Sequence, residues 1–172
     1  RVRAHDGNHN THFSLPTAVM GVEYPEDPHS ISQWRSVLSA MQLRIKQDKD
    51  VDVIVQELGT DAPGDIAQFG KYLIADVGVV TAVSEEHMEF FESLDAVARE
   101  ELSISTFSKL TIVNRDDVAE EYAKYVNTQA IDTYGLGEKA EYRLVVEPAN
   151  ALEGRIGQDE TIVTNARHYH AL

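Results

Sequence analysis

A chain of 172 residues is long enough to bury one sizeable core. Its 29 acidic residues outweigh 15 basic ones, and the net charge of −14 argues against nucleic acid or an anionic membrane as a broad partner while leaving divalent cations open. The absence of Cys removes disulfides and thiolate metal sites and suits a cytoplasmic protein, no apolar run approaches the ~20 residues that cross a bilayer, and no signal-peptide pattern opens the chain.

The opening RVRAHDGNHNTHFSLP is polar and rich in His, Asn and Gly, so it reads as a loop. Ser30 then caps a helix over 30–47, in which Ile31, Trp34, Val37, Leu38, Met41 and Ile45 recur at helical spacing. VDVIVQ (51–56) reads as a buried strand, residues 63–75 as a short helix with Pro63 in its first turn, and VGVVTAV (77–83) as a second buried strand. Leu94, Val97, Ala98, Leu102 and Ile104 mark one face of a helix over 93–108. LTIV (110–113) is a third strand and residues 117–126 a further helix. Strands alternating with helices predict an α/β fold, a mostly parallel sheet with helices on both faces. The shorter apolar stretches AIDTYG, EYRLVVEP and TIVTN predict a smaller mixed or antiparallel extension near the C-terminus. A single domain without a linker is expected over 1–172.

Three successive strands end on polar groups: Glu57, the SEEH run with His87, and NRDD from Asn114. In an open parallel sheet such ends share one edge, where ligands bind. A carboxylate and an imidazole there suit a divalent cation, the carboxylate oxygen attracting Mg²⁺. The competing reading is structural, with Glu57 capping the next loop and His87 opening a helix. His5, His9 and His12 are irregularly spaced and read as solvated loop, and His168 and His170 as part of a tail. The acidic runs SEEH, REEL and AEEY read mostly as helix-face charge. Ser103, Ser105 and Ser108 lack the G-x-S-x-G setting of a serine hydrolase.

The order of motifs resembles the central ATPase domain of the Mur ligase family, and within it the MurF type. That type carries E-M-G-x-x-x-x-G-E-I, then I-G-V-V-T-x-V, then A-H-x-E-x-F-G-S. Here these stand as Glu57-Leu58-Gly59 with Gly64-Asp65-Ile66, Val77 to Val83, and His87 to Ser93. Residues 7–16, GNHNTHFSLP, are similar to the family's G-N-x-N-x-x-x-G-x-P, with Ser14 in place of its Gly. The resemblance covers residues 7–117 and thins beyond 120. It implies that Glu57 binds Mg²⁺ beside the ATP phosphates, that His87 binds a second Mg²⁺, that Asn8 and Asn10 serve the substrate, and that Asn114 serves the nucleotide. ATP and Mg²⁺ are then the cofactors. A UDP-muramoyl peptide and D-alanyl-D-alanine are the implied substrates, joined through an acyl phosphate in peptidoglycan precursor synthesis.

Two departures accompany the resemblance. No G-x-x-x-x-G-K-[ST] phosphate loop occurs in the chain. A truncated central domain is therefore expected, without the upstream phosphate loop or the downstream third domain and inactive in isolation; the N- and C-terminal domains of its own chain are missing partners. Aligning VAREELSI with the family's V-A-x-A-K-G-E-I also puts Glu101 at the Lys that CO₂ carbamylates into an anionic metal ligand. A Glu supplies that anion unmodified, which makes Glu101 a catalytic candidate beside His87. Relatives acting on other substrates, the folylpolyglutamate and cyanophycin synthetases, and a non-catalytic module serving a partner subunit are the alternative readings.

Overall fold

The computed structural model describes residues 1–4, 9–85, 88–127, 130–137, 140–146, 160–164 and 168–170. The chain comprises two compact units, Arg1–Thr60 and Asp61–Leu172. The first carries β1 (Val2–Ala4), α1 (Ser14–Met20), α2 (Ile31–Ile45) and β2 (Val53–Val55). β1 and β2 pair in parallel, with Val2 opposite Val53 and Ala4 opposite Val55.

The opening stretch is thus more structured than a polar loop. α1 ends in a left-handed residue, Gly21 at φ 66°, whose N–H bonds Ala18 O while Val22 N–H reaches Thr17 O. That paired closure satisfies two terminal carbonyls. Arg3 donates to a third, Val19 O, at 2.7 Å, and its guanidinium lies where a Cβ on Gly21 would stand. Asp50 holds Arg3 from the other side at 2.6 Å and also pairs with Arg44 of α2. β1, α1 and α2 are tied together by this one cluster.

Ser30 caps α2 as expected, accepting from Gln33 N–H at 3.4 Å. The apolar stripe of that helix is mostly not buried. Val37 is covered, whereas Ile31, Leu38 and Ile45 are exposed. The strand expected to be buried at 51–56 is short, and Val53, Ile54 and Val55 are 50%, 43% and 58% exposed. Among the described residues of its unit β2 pairs with β1 alone, and a two-stranded sheet leaves its side chains open on both faces.

The second unit carries α3 (Asp65–Phe69), β3 (Ala75–Val80), α4 (Leu94–Glu101), β4 (Ser108–Asn114), β5 (Ile131–Gly135), β6 (Tyr142–Val146), β7 (Glu160–Thr164) and β8 (His168–His170). Its sheet runs β3-β4-β5-β6-β7-β8. The first three pairings are parallel and the last two antiparallel, which is the α/β sheet with a mixed extension. The expected tail at His168 and His170 is a strand paired with β7.

Each difference in element length has a local cause. α3 stops at Phe69 rather than near 75, where Lys71 and Tyr72 N–H turn to the carbonyls three residues back, and the Phe107 ring, 2.7 Å from where a Cβ on Gly70 would be, keeps that position a glycine. β3 leaves the sheet after Val80, since Thr81 O accepts from the Asn114 side chain and Val83 N–H donates to Asp117 O. The helix expected to 108 becomes a 3₁₀ turn at Leu102–Thr106. There Ser105, Thr106 and Ser108 hydroxyls bond the carbonyls of Leu102, Ser103 and Ile104, tightening the chain. The helix expected at 117–126 is a 3₁₀ turn, Glu120–Tyr125.

The core of this unit joins Val80 and Val113 of the sheet to Ala98 and Leu102 at the end of α4, with Val118 and Tyr122. Burying each large side chain contributes about 1.5–3 kcal/mol. Outside that core, Asp95 on the first turn of α4 accepts from the Tyr125 hydroxyl and, at 3.0 Å, from Lys124 Nζ. The Tyr125 hydrogen bond, then that of Lys124, holds the Asp95 carboxyl below its usual range. A depressed carboxyl stabilises the fold above its unfolded value and loses that contribution as pH falls through the folded one. Asp95→Asn is therefore expected to flatten the acid limb of a melting-temperature profile below about pH 4, where an unfolded Asp titrates. An unchanged limb would mean the pair does not link α4 to the 3₁₀ turn.

No helix among the described residues is long and apolar enough to cross a membrane.

Candidate functional site

β1 and β2 run in parallel, and His9 and Asn10 lie against residues 56–59 beyond the C-terminal end of β2. Three hydrogen bonds join them, and a fourth, from Gln56 to Glu57, is local. Gln56 Nε2 donates to His9 O at 2.8 Å and to Glu57 O at 2.9 Å. Gly59 N–H donates to Asn10 O at 3.1 Å, and Asn10 Nδ2 to Glu57 Oε1 at 2.9 Å. Glu57 itself is exposed, two residues beyond β2. The strand-end acid singled out by the sequence is thus an accessible carboxylate with one oxygen fixed by an amide. The neighbouring His9 ring lies edge-on to Tyr24, which in turn packs edge-on to Trp34. That contact, and the partial burial of His9 and His12, differ from the solvated loop expected.

In the second unit the C-terminal ends of β3, β4 and β5 are laced together by Asn114, the last residue of β4, and the residues that follow it. Asn114 Nδ2 donates to Thr81 O at 2.9 Å and to Asp117 Oδ2 at 2.7 Å, while Asn114 Oδ1 accepts from Asp116 N–H at 3.0 Å. Asp116 accepts from the N–H groups of Leu136 and, at 3.1 Å, Gly137. A Cβ on Gly135 would stand 2.7 Å from that carboxylate, so the loop after β5 needs a glycine there. Arg115 pairs with Glu120 at 2.6 Å. An open hollow of about 440 Å³, lined by residues 115–120 and Gly137, lies against this loop. Asn114 is therefore an organiser of the loop, with both amide hydrogens and its carbonyl engaged.

The acidic run at the end of α4 contains a residue the sequence reading passed over. Glu100 is only 6% exposed, and its two oxygens accept from Gly64 N–H and Ile66 N–H, each at 2.7 Å. Those donors belong to the first turn of α3 and have no partner within that helix. Asp65 folds back to accept from Asp61 and Ala62 N–H at 3.1 and 3.0 Å. Segment 61–66 is thereby held from both sides. The sequence signal for Glu100 was its place three residues after Val97, at the margin of the apolar face. Its neighbour Glu101, the catalytic candidate, is half-buried at the last position of α4. Two of the serines have structural partners: Ser105 Oγ donates to Leu102 O and accepts from Asn127 N–H, and Ser108 Oγ donates to Ile104 O.

Asn8 and His87 lie outside the described residues. Among the described residues no three His, Asp or Glu side chains gather as a ready-made metal cage. Glu57 still fits Mg²⁺, a cation bound through one or two carboxylates with substrate phosphates and water completing the shell.

Residues 11–169 match the family model of the Mur ligase middle domain. The UDP-N-acetylmuramoyl-tripeptide–D-alanyl-D-alanine ligase of Rickettsia prowazekii is 27% identical over 104 residues, covering 56% of this chain and 23% of that protein. Among solved structures, MurF from Acinetobacter baumannii superposes with a TM-score of 0.63 over 98% of this chain and 31% of its own, at 16% identity. FolC from E. coli, in complex with DHPP and ADP, gives 0.53 over 80% of this chain and 29% of its own, also at 16% identity. At such identities the structural likenesses speak to fold alone. The chain spans about a quarter of the length of its curated relative.

Proposed function

Since this chain belongs to the Mur ligase family through its middle domain, we propose that it is the central part of an ATP-dependent ligase that joins an amine to a carboxylate through an acyl phosphate. The observation that carries this reading is Glu57, an exposed strand-end carboxylate held at one oxygen by Asn10 at 2.9 Å. In the reaction a substrate carboxylate oxygen attacks the γ-phosphorus of ATP and ADP leaves. The amine nitrogen then attacks the acyl carbon, releasing phosphate and a proton and forming the amide. Both partners in the first step are anions, so stabilisation must be mainly electrostatic. Mg²⁺, when bound, supplies that charge neutralisation. This chain's contribution is to place the Glu57 carboxylate at the end of β2 and, by family resemblance, His87 as ligand of a second cation and Asn8 and Asn10 toward the substrate. Asn114 shapes the hollow beside β4 and β5, the nucleotide side in this reading.

For the substrate, the Rickettsia relative favours a UDP-muramoyl tripeptide and D-alanyl-D-alanine. The FolC likeness keeps a folate-type glutamate ligase as the second reading. The full-length protein should release phosphate from ATP only when a UDP-muramoyl tripeptide and D-alanyl-D-alanine are both supplied. Release with a folate and glutamate instead would select the second reading, and none with either pair would leave the non-catalytic module. The 172-residue chain alone should show only weak calorimetric binding of MgATP, because the sequence contains no G-x-x-x-x-G-K-[ST] to cradle the phosphates. Micromolar affinity would contradict this account of the nucleotide site.

A further inference from the structure

Asn10 and Glu57 are 47 positions apart in sequence, yet their side chains meet at 2.9 Å. The contact is set by backbone geometry as well. Gly59 N–H bonds Asn10 O, and a Cβ on Gly59 would stand 2.8 Å from Asn10 Nδ2 and 2.9 Å from its Cγ. The amide of Asn10 therefore lies flat against the Gly59 backbone, and any larger residue at 59 would displace it. Gln56, bonding His9 O and Glu57 O, closes the same seam one residue earlier. The amide donates to Oε1 of Glu57, while Oε2 takes no hydrogen bond among the described residues.

We propose that Asn10 is a positioning residue for Glu57: its amide holds Oε1 so that Oε2 is presented to a divalent cation, and Gly59 is the backbone seat that keeps the amide there. This rests on Glu57 being a cation ligand, the reading given above. The physical reason is that an exposed Glu samples several rotamers, each pointing its charge elsewhere. A hydrogen bond to one oxygen selects a single orientation, as partners of metal ligands do elsewhere, where their loss weakens metal affinity about 10–100-fold. Asn suits this role better than Lys or Arg, because a neutral donor fixes the carboxylate without cancelling the charge that draws the cation. This role is separate from the substrate contact that the resemblance gives Asn10, since its effect on the cation passes through Glu57.

That difference is measurable. Mn²⁺ affinity would be read by electron paramagnetic resonance in the full-length protein with ADP bound, for wild type, Glu57→Gln, Asn10→Ala, Gly59→Ala and the Asn10→Ala/Glu57→Gln double variant. Asn10→Ala and Gly59→Ala should each weaken Mn²⁺ about tenfold or more. The double variant should bind no worse than Glu57→Gln alone, because positioning has nothing left to act on. Melting temperatures separate this from a loss of folding, and the Asn10 side-chain amide signal in the ¹⁵N spectrum should shift in Glu57→Gln. Additive losses in the double variant, or wild-type affinity in Gly59→Ala and Asn10→Ala, would overturn the positioning role. Unchanged affinity in Glu57→Gln would instead overturn the cation reading of Glu57, with the amide signal still reporting whether the two side chains meet.

Discussion

If the full-length protein is the ligase proposed above, Glu101→Gln should lower its turnover about 10²-fold, the effect of removing one strong electrostatic group from a phosphoryl-transfer site. In related ligases the corresponding position is a Lys that becomes an anion only after reacting with CO₂. By the resemblance, Glu101 falls at that position, in the last turn of α4 and half-buried. Gln preserves its shape and hydrogen-bonding reach but removes the charge that would balance Mg²⁺. Wild-type turnover should be independent of added bicarbonate, because no carbamate has to form. Glu101→Lys should recover part of the lost activity when CO₂ is supplied, and only then. A Gln variant running at the wild-type rate would reduce Glu101 to a helix-end charge.

What could be read from the sequence, and what could not, divides by the distance over which the determining contacts act. VGVV and LTIV are continuous apolar runs between turn residues, and they lie paired in the sheet as β3 and β4. Ser30 and Ser93 mark helix starts by a bond to a residue three positions on, a local rule. α1 was hidden because SLPTAVM is seven residues long, with two of its polar side chains, Ser14 and Thr17, buried. Thr17 donates to Ser14 O, so polarity there did not mean exposure. The exposure of Val53 to Val55 was equally illegible, since a run of β-branched residues does not say how many strands flank it.

The candidate site shows the same division. Glu57 could be found from its place after a strand, and Asn10 from its motif. Their contact depends on β1 and β2 pairing in parallel, and β1 is only three residues long with Arg3 at its centre. Asn114 was marked for the nucleotide, but nothing local in NRDD disclosed that its amide would tie Thr81 to Asp117. Glu100 and Glu101 are the sharpest case. They are identical letters side by side, yet a helix turns about 100° between them, and the sequence reading chose a role for one while leaving the other as surface charge.

Glu100 should prove the more important of the two for stability. Its carboxylate accepts from Gly64 and Ile66 N–H, both at 2.7 Å, and it is 6% exposed. Hydrogen bonds to a charged group contribute about 1.5–3 kcal/mol each, and a buried donor left without an acceptor costs about 1–3 kcal/mol. Ile66 is buried and Gly64 exposed, so water can replace the acceptor at the second donor but not readily at the first. Glu100→Ala is therefore expected to destabilise the chain by about 3 kcal/mol. Glu100→Gln, which keeps one acceptor and turns an NH₂ toward the other donor, should cost about 2 kcal/mol. Urea unfolding would measure both, with Glu101→Gln as the neighbouring control expected to cost clearly less. Hydrogen exchange at Ile66 should accelerate in the Glu100 variants before global unfolding, because α3 has only five residues and its first turn depends on a cap from α4. Equal stability losses at 100 and 101, or unchanged exchange at Ile66, would mean that this carboxylate follows the α3 turn rather than holds it.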